Sequence, residues 1–310
     1  MFSLNDLILL LVIFSSMLGG ILLPDFGSLF QPYPLYLMMF LLFLSFLSIK
    51  IDTIWDTIRN HGRKVIWLCF IKLIALPLGV YLLFMALYPS YATAALLISA
   101  ISTGVVAPFI SNIVNGNTAL VLVMVVVTSS IVPFTLPAMV KLLLGHTTEI
   151  SLIGMMRTLC LIIFLPIVGV ELLRRLAPQL SQSLIKRRFP ISLLTFAIIN
   201  LGVFSKYAHF FHQKPSVIIE ASIVAITLGG IYVLVGLVAL LKSPLGNQLA
   251  SAISLGNMNN VLVIVFASEF FGPLEPTLAA MYMIPFFGLI FPLRIYQRLR
   301  EKSRLSPYRS

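Results

Sequence analysis

The chain has 310 residues, of which 59% are hydrophobic and only 10% are charged, and its mean hydropathy is +1.05. Soluble domains carry about a quarter charged residues, so these values exclude an ordinary soluble protein and indicate an integral membrane protein. The net charge of +11 does not call for a nucleic-acid partner, because basic residues collect in the cytoplasmic loops of membrane proteins.

Ten apolar segments follow one another along the chain, and a membrane-spanning helix needs roughly 20 apolar residues. The predicted spans are 7–23, 34–49, 65–87, 92–114, 117–143, 151–173, 190–211, 216–241, 245–268 and 277–297. The first span follows Asp6 and lacks a basic start, so we expect a retained helix rather than a signal peptide.

The positions of lysine and arginine predict the orientation. Sixteen of the 21 basic residues fall in the loops 50–64 and 174–188, at Lys242 and in the tail from Arg294 onward, whereas the other side has only Lys141, Lys206 and Lys214. Positive charge marks the cytoplasmic side of a membrane protein. Ten spans place all sixteen residues on that side and leave both termini cytoplasmic.

A short segment of the fourth span recurs in the ninth. Residues 99–104 and 251–256 agree at five of six positions, and the same offset of 152 residues carries Pro133 onto Pro285. Five spans in each half is an odd number, so the second half is expected to insert upside down relative to the first. Inverted repeats of this kind are typical of secondary transporters.

Glycine, proline and asparagine interrupt the same two spans. Gly104 and Pro108 fall in the fourth, and three asparagines fall within four residues of the ninth. Proline removes a helical hydrogen bond, and broken helices in corresponding halves indicate a binding site whose helix ends favour an anion. The expected substrate-binding residues are Phe109, Ser111, Asn112, Asn257, Asn259 and Asn260. Alternatively, the asparagines only join helices to one another.

The sequence therefore predicts an all-α polytopic membrane protein. Its ten transmembrane helices form two inverted five-helix repeats, residues 1–150 and 151–310, with broken crossing helices.

Lys72 lies near the centre of the third span, and the acidic residues all fall at span ends or in loops. Three roles are open for it: binding an anionic substrate, replacing a metal cation at the carbonyl ends of the broken helices, or losing its proton and titrating during transport. The second is favoured.

The chain resembles the bile acid:sodium symporter family over most of its length. The resemblance rests on residues 40–77, the pair Ser111-Asn112, and residues 116–120, 133–137 and 256–262. It implies a core domain from predicted helices 3–5 and 8–10 and a panel domain from helices 1–2 and 6–7. It also implies sodium-driven uptake of an organic anion such as a bile acid, a steroid sulfate or, in bacteria, pantoate, at the bacterial cytoplasmic (inner) membrane.

The chain departs from the family where sodium binds. Members carry Glu-x-Gly-x-Gln-Asn in the ninth span, and this chain places Ser254 and Met258 at the Glu and Gln positions, while Asn259 matches. A further sodium-binding glutamine of the family corresponds to Lys72. The resemblance also places the family's serine and threonine ligands of the fifth span at two valines, Val121 and Val125.

Most of the oxygen ligands that a sodium site needs are thus missing. We interpret Lys72, Ser254 and Met258 as cation-substituting or coupling residues of a sodium-independent secondary transporter of a small organic anion. The open alternatives are a conventional sodium symporter, a cation/proton antiporter of related fold, and a non-transporting scaffold or receptor. No cofactor is expected, with sodium left as the alternative.

Other features give weaker predictions. The four histidines lie in or near loops, so neither an intramembrane enzyme nor a metal site is expected, and Cys69 and Cys160 are interpreted as packing residues. Arg157, inside the sixth span, could line an anion entrance or anchor to a neighbouring carbonyl. The expected partners are the organic anion and the lipid bilayer, with no nucleic acid, and the chain is expected to be a monomer or a weak homo-oligomer.

Overall fold

The computed structural model describes residues 4–49, 51–145 and 151–305, and all regular secondary structure among them is helical. Three apolar helices of 10–17 residues are Leu11–Leu22, Pro34–Phe46 and Asn260–Phe270. Six longer stretches are long and apolar enough to cross a membrane: Ile54–Leu87, Thr118–Leu144, Leu152–Leu176, Pro178–Lys206, Ser216–Ala239 and Leu274–Glu301. The chain is therefore a polytopic α-helical membrane protein.

In the first half, the described residues 4–49 and 51–145 form eight α-helices and two short turns of other helical types. A π-helical turn, Ile71–Ala75, joins the fourth helix to the fifth, and a 3₁₀ turn, Pro89–Tyr91, precedes the sixth. The α-helices are α1 (Leu4–Leu22), α2 (Pro24–Ser28), α3 (Pro34–Phe46), α4 (Ile51–Phe70), α5 (Leu76–Leu87), α6 (Ala92–Ala100), α7 (Ala107–Ile113) and α8 (Thr118–Leu144).

The described residues of the second half, 151–305, contain nine helices. They are α9 (Leu152–Leu176), α10 (Pro178–Lys206), α11 (Ala208–Gln213), α12 (Ser216–Ala239), α13 (Leu245–Gly256), α14 (Asn260–Phe270), α15 (Leu274–Met281), α16 (Met283–Gly288) and α17 (Ile290–Leu305). Among the described residues, both interruptions predicted from the sequence coincide with helix ends, because α6 and α7 are separate helices and so are α13 and α14.

Two segments predicted as basic loops are helical. Helix α4 begins at Ile51, with a kink at His61, and α10 begins at Pro178, which stands at the start of the helix, where a missing N–H costs nothing. Ile54 and Ile58, four residues apart, pack inward, while the charged residues between and beside them are exposed. Average hydropathy cannot detect such a helix, because its apolar and charged faces cancel.

The helices pack as two bundles. The small bundle consists of α1, α2, α3, α9 and α10, and the large bundle consists of α4–α8 and α12–α16. Contacts between the bundles run mainly from α8 to α9 and from α14 to α3 and α10. The broken helices α6, α7, α13 and α14 all belong to the large bundle, so the small bundle packs beside the interruptions.

Close packing of α12 on α13 depends on a missing side chain. A Cβ atom at Gly236 would stand 2.5 Å from Cα of Ala252 and 2.9 Å from the carbonyl oxygen of Ser251. Small residues at such crossings let membrane helices approach closely. We expect Gly236→Ala to destabilise the protein by about 1–3 kcal/mol, seen as a lower melting temperature in detergent.

Gly230 on the same helix provides the matched control, because a Cβ atom there would meet nothing within 4 Å. Gly230→Ala should leave the melting temperature unchanged or raise it, since alanine favours the helix over glycine by about 1 kcal/mol. Equal effects of the two substitutions would contradict this description of the α12–α13 contact.

Candidate functional site

The two interrupted spans meet through their backbones. After α6 ends at Ala100, the Gly104 N–H donates to the carbonyl of Asn257 at 2.7 Å, and the Asn259 N–H donates to the carbonyl of Ser102 at 3.0 Å. Thr103 and Met258 thereby form an isolated antiparallel bridge. We call this junction, residues 101–106 and 257–259, the crossing. Non-helical backbone at membrane depth is tolerated only where its polar groups find such partners.

Polar side chains satisfy other groups that the interruptions leave free. The Thr103 N–H donates to Oγ1 of Thr128 at 3.0 Å, and Oγ1 of Thr103 donates to the carbonyl of Ser254 at 2.8 Å. Nδ2 of Asn257 donates to the carbonyl of Phe286 at 2.9 Å. The crossing is thus tied to α8, to the end of α13 and to α16, which fixes its position within the large bundle.

Lys72 lies next to the crossing and is completely buried. Its Nζ is 3.3 Å from the carbonyl oxygen of Ser99, in the last turn of α6, and it contacts Sδ of Met258. The described part of the chain holds one ion pair, Arg175 with Glu171, so Lys72 has no carboxylate partner there. The Lys72 amino group therefore lies at the carbonyl end of a half-helix, where the helix dipole is negative.

The backbone around Lys72 is itself irregular. The N–H of Leu76 donates to the carbonyl of Ile71, five residues back, and this bond defines the π-helical turn. Pro77 follows directly and supplies no N–H to the turn before it. Such π-helical bulges often occur at functional sites. Lys72 thus projects from a widened turn, in the position where it reaches both Ser99 and Met258.

A cavity of about 500 Å³ separates the crossing from α3 and α10. Most of its lining is apolar, with side chains such as Leu41, Phe196 and Phe287. Its polar groups come from two places: Ser45, Ser48, Arg188 and Ser192 in or beside α3 and α10, and the amides of Asn259 and Asn260. A cavity of this volume and composition suits a small organic molecule with polar ends.

Only some of the predicted site residues line this cavity. Phe109, Met258, Asn259 and Asn260 do, whereas Asn257 is turned toward Phe286 instead. Lys72 and Ser254 are fully buried and also lie outside the lining. The lining also lacks three predicted residues: Ser111, Asn112 and Arg157. Their roles stay predictions.

Several buried polar atoms near the crossing have no hydrogen-bond partner within the described chain. Nδ2 of Asn259 and Oδ1 of Asn260 belong to this group, and both residues line the cavity. The hydroxyl oxygens of four serines also lack a partner within the described chain: Ser102, Ser129, Ser251 and Ser254. Unpaired buried polar groups cost free energy, so each of these atoms is available to a ligand.

The C-terminal end of α10 is hydrogen-bonded to α14. Lys206 Nζ donates to the carbonyl of Ser268 at 2.8 Å, and the Tyr207 hydroxyl reaches the carbonyls of Ser268 at 3.2 Å and Phe271 at 3.4 Å. We call this the Lys206 latch. Burial, assisted by Glu275 and Glu269, raises the pKa of Tyr207 to about 12, so its hydroxyl stays a donor at physiological pH.

The latch and the cavity residue Arg188 lie well apart along one helix, because Lys206 ends α10 and Arg188 is in its first half. Arg188 and Lys206 are both in α10, and the eighteen residues between their positions correspond to about 27 Å at 1.5 Å per residue. The cavity reaches the surface at Arg188, while the latch joins the two bundles at the other end.

Sequence reasoning missed two residues of the site. Thr128 supports the crossing, and its signal was the polar triplet 128–130 within an apolar span. Arg188 reaches the cavity, but the sequence shows it only as one of several basic residues in a presumed loop.

Apolar spans, helices broken at a shared crossing and a cavity beside it are typical of a polytopic membrane transporter. Comparison with known proteins supplies the family. The sequence model of the Sodium Bile acid symporter family matches residues 34–214, more than half of the chain, and the chain belongs to this family. The resemblance seen in the sequence is thereby confirmed, and a member of this family is a transporter, not an enzyme. No curated protein matches the chain.

Proposed function

We propose that the chain is a secondary active transporter of a small organic anion, in which Lys72 takes the place of the coupling cation. The observation that carries the proposal is the position of the Lys72 ammonium, 3.3 Å from the carbonyl of Ser99 and against Met258. Sodium prefers hard oxygen ligands, and a thioether is soft. A fixed cation at this point competes with any bound metal ion, so transport is independent of sodium.

The proposal includes the finer topology inferred from the sequence. Ten spans form two inverted repeats, the small bundle serves as the panel and the large bundle as the core. Both termini are cytoplasmic, in the inner membrane of a bacterium. The packing of the broken helices within one bundle and the sixteen-to-three distribution of basic residues support this arrangement. With that orientation, the cavity opens to the cytoplasm.

A conventional sodium symporter is the second candidate, and one observation favours it. The buried hydroxyls of Ser102, Ser129, Ser251 and Ser254 lack partners within the described chain, and hydroxyl oxygens are acceptable ligands for a hard cation. The two candidates therefore differ in one measurable property, namely whether sodium binds the folded protein.

We expect the melting temperature of the purified protein to be the same in sodium, potassium and choline chloride at equal ionic strength. A ligand that binds only the folded state raises stability by mass action, so this test needs no substrate. A rise confined to sodium that Ser254→Ala removes would establish the conventional symporter and end the lysine proposal.

A further inference from the structure

Arg188 is the single ionisable side chain in the cavity lining, counting the residues that the structure describes. The lining otherwise offers serine hydroxyls, asparagine amides and apolar side chains. An anion that enters the cavity from its exposed end therefore meets one full positive charge, and that charge belongs to a residue at which α3 and α10 approach each other.

The other basic residues of the same segment are committed elsewhere or lie outside the lining. Arg174 donates through Nη2 to the carbonyls of Phe46, Leu47 and Ile49, which closes the end of α3. Arg175 pairs with Glu171. Lys186 and Arg187 are absent from the cavity lining. Of this cluster, Arg188 alone faces the cavity.

The guanidinium of Arg188 keeps most of its donors free. Its Nη1 donates to the hydroxyl of Ser48, which also lines the cavity, and within the described chain no carboxylate pairs with it. A guanidinium has five N–H donors in a planar fork that matches the two oxygens of a carboxylate or sulfonate. Ser48 orients this fork without neutralising it.

A second polar point lies deeper in the same cavity. Asn259 is only 4% exposed, and its Nδ2 donors have no partner within the described chain. Apolar side chains, among them Leu41, Phe196 and Phe287, complete the lining around these polar points. The cavity thus offers a charged donor at its exposed end, a neutral donor at its buried part, and apolar surface along its walls.

We propose that Arg188 recognises the acid group of the cargo and sets the preference for anions, while Asn259 receives a separate hydrogen-bond acceptor of the same molecule. This inference rests on the proposed transport function and adds a residue that acts on substrate choice. Lys72, which lies outside the lining, has no part in it.

The test uses tritiated cholate and its uncharged methyl ester as probes, bound to the full chain in nanodiscs, with empty nanodiscs as the blank. Cholate has a carboxylate, a rigid apolar body and distant hydroxyls. Arg188→Gln should weaken cholate binding about tenfold or more, because a hydrogen-bonded charge pair is lost, and should leave binding of the ester unchanged. Cholate binding by Arg188→Lys should fall between that of the wild type and that of Arg188→Gln, since lysine keeps the charge but not the planar fork of donors.

Arg187→Gln is the matched control, because it removes the neighbouring positive charge from an exposed side chain outside the cavity lining. It should leave binding of both probes unchanged. Equal losses in Arg187→Gln and Arg188→Gln, or an equal loss of the ester, would overturn the assignment. So would a wild type that binds no cholate or binds ester and acid alike. None of these outcomes changes the result expected for the melting temperature in sodium. The transport proposal is therefore tested independently of the role of Arg188.

Discussion

Lys72→Met is expected to reduce transport about a hundredfold while leaving the protein at least as stable as the wild type. If the buried positive charge is needed for the transport cycle, its loss raises the barrier, and a hundredfold slower rate corresponds to about 2.7 kcal/mol, since each 1.36 kcal/mol is a factor of ten in rate. Methionine keeps the length of the side chain and fits the apolar surroundings. Because the ammonium has no carboxylate partner in the described chain, its removal leaves no opposite charge buried.

The rate is measured as uptake of radiolabelled organic anions, cholate and pantoate among them, into proteoliposomes, and stability as the melting temperature. Lys141→Met serves as the control, since Lys141 is an exposed lysine near the end of α8 and should tolerate the change. Wild-type uptake by Lys72→Met would show that the buried ammonium has no part in transport.

Gly104→Ala should have the second largest effect, on stability and uptake together. A Cβ atom at this position would stand 2.6 Å from the carbonyl oxygen of Met258 and 3.0 Å from its carbonyl carbon. Both atoms are backbone, and the Gly104 N–H is bonded to the carbonyl of Asn257 beside them. The crossing can accept a methyl group only by moving apart, which we expect to cost about 1–3 kcal/mol.

Gly79→Ala is the appropriate comparison, because a Cβ atom at Gly79 meets nothing within 4 Å and the residue lies in α5 of the same bundle. Its melting temperature and uptake should match those of the wild type. If Gly104→Ala also behaved like the wild type in both assays, the close approach of the two crossing segments would be irrelevant to function.

The sequence predicts the all-helical membrane character and the two helix interruptions, for a physical reason. Long apolar runs have few alternatives in a membrane, and Gly104, Pro108 and the asparagines of the ninth span are costly there unless the backbone changes course. The depth of Lys72 follows from the same count of apolar residues. These features are local, so a single sequence contains them.

Features that depend on packing were not predictable. Arg188 and Arg187 are neighbours with identical side chains, and only the approach of α10 to α3 decides which of them reaches the cavity. The support that Thr128 gives to Thr103 depends in the same way on how α8 packs on the crossing. The amphipathic start of α4 was predicted as a loop, because the hydropathy of its apolar and charged faces averages to a polar value.

The donors and the acceptors of the Lys206 latch depend on the sequence to different degrees. Its donors are the side chains of Lys206 and Tyr207, but its acceptors are the backbone carbonyls of Ser268 and Phe271. No point mutation deletes a carbonyl, so sequence drift within α14 leaves the acceptors in place as long as the helix persists. A point mutation that removes a donor of the latch must therefore fall at position 206 or 207, a target of two codons.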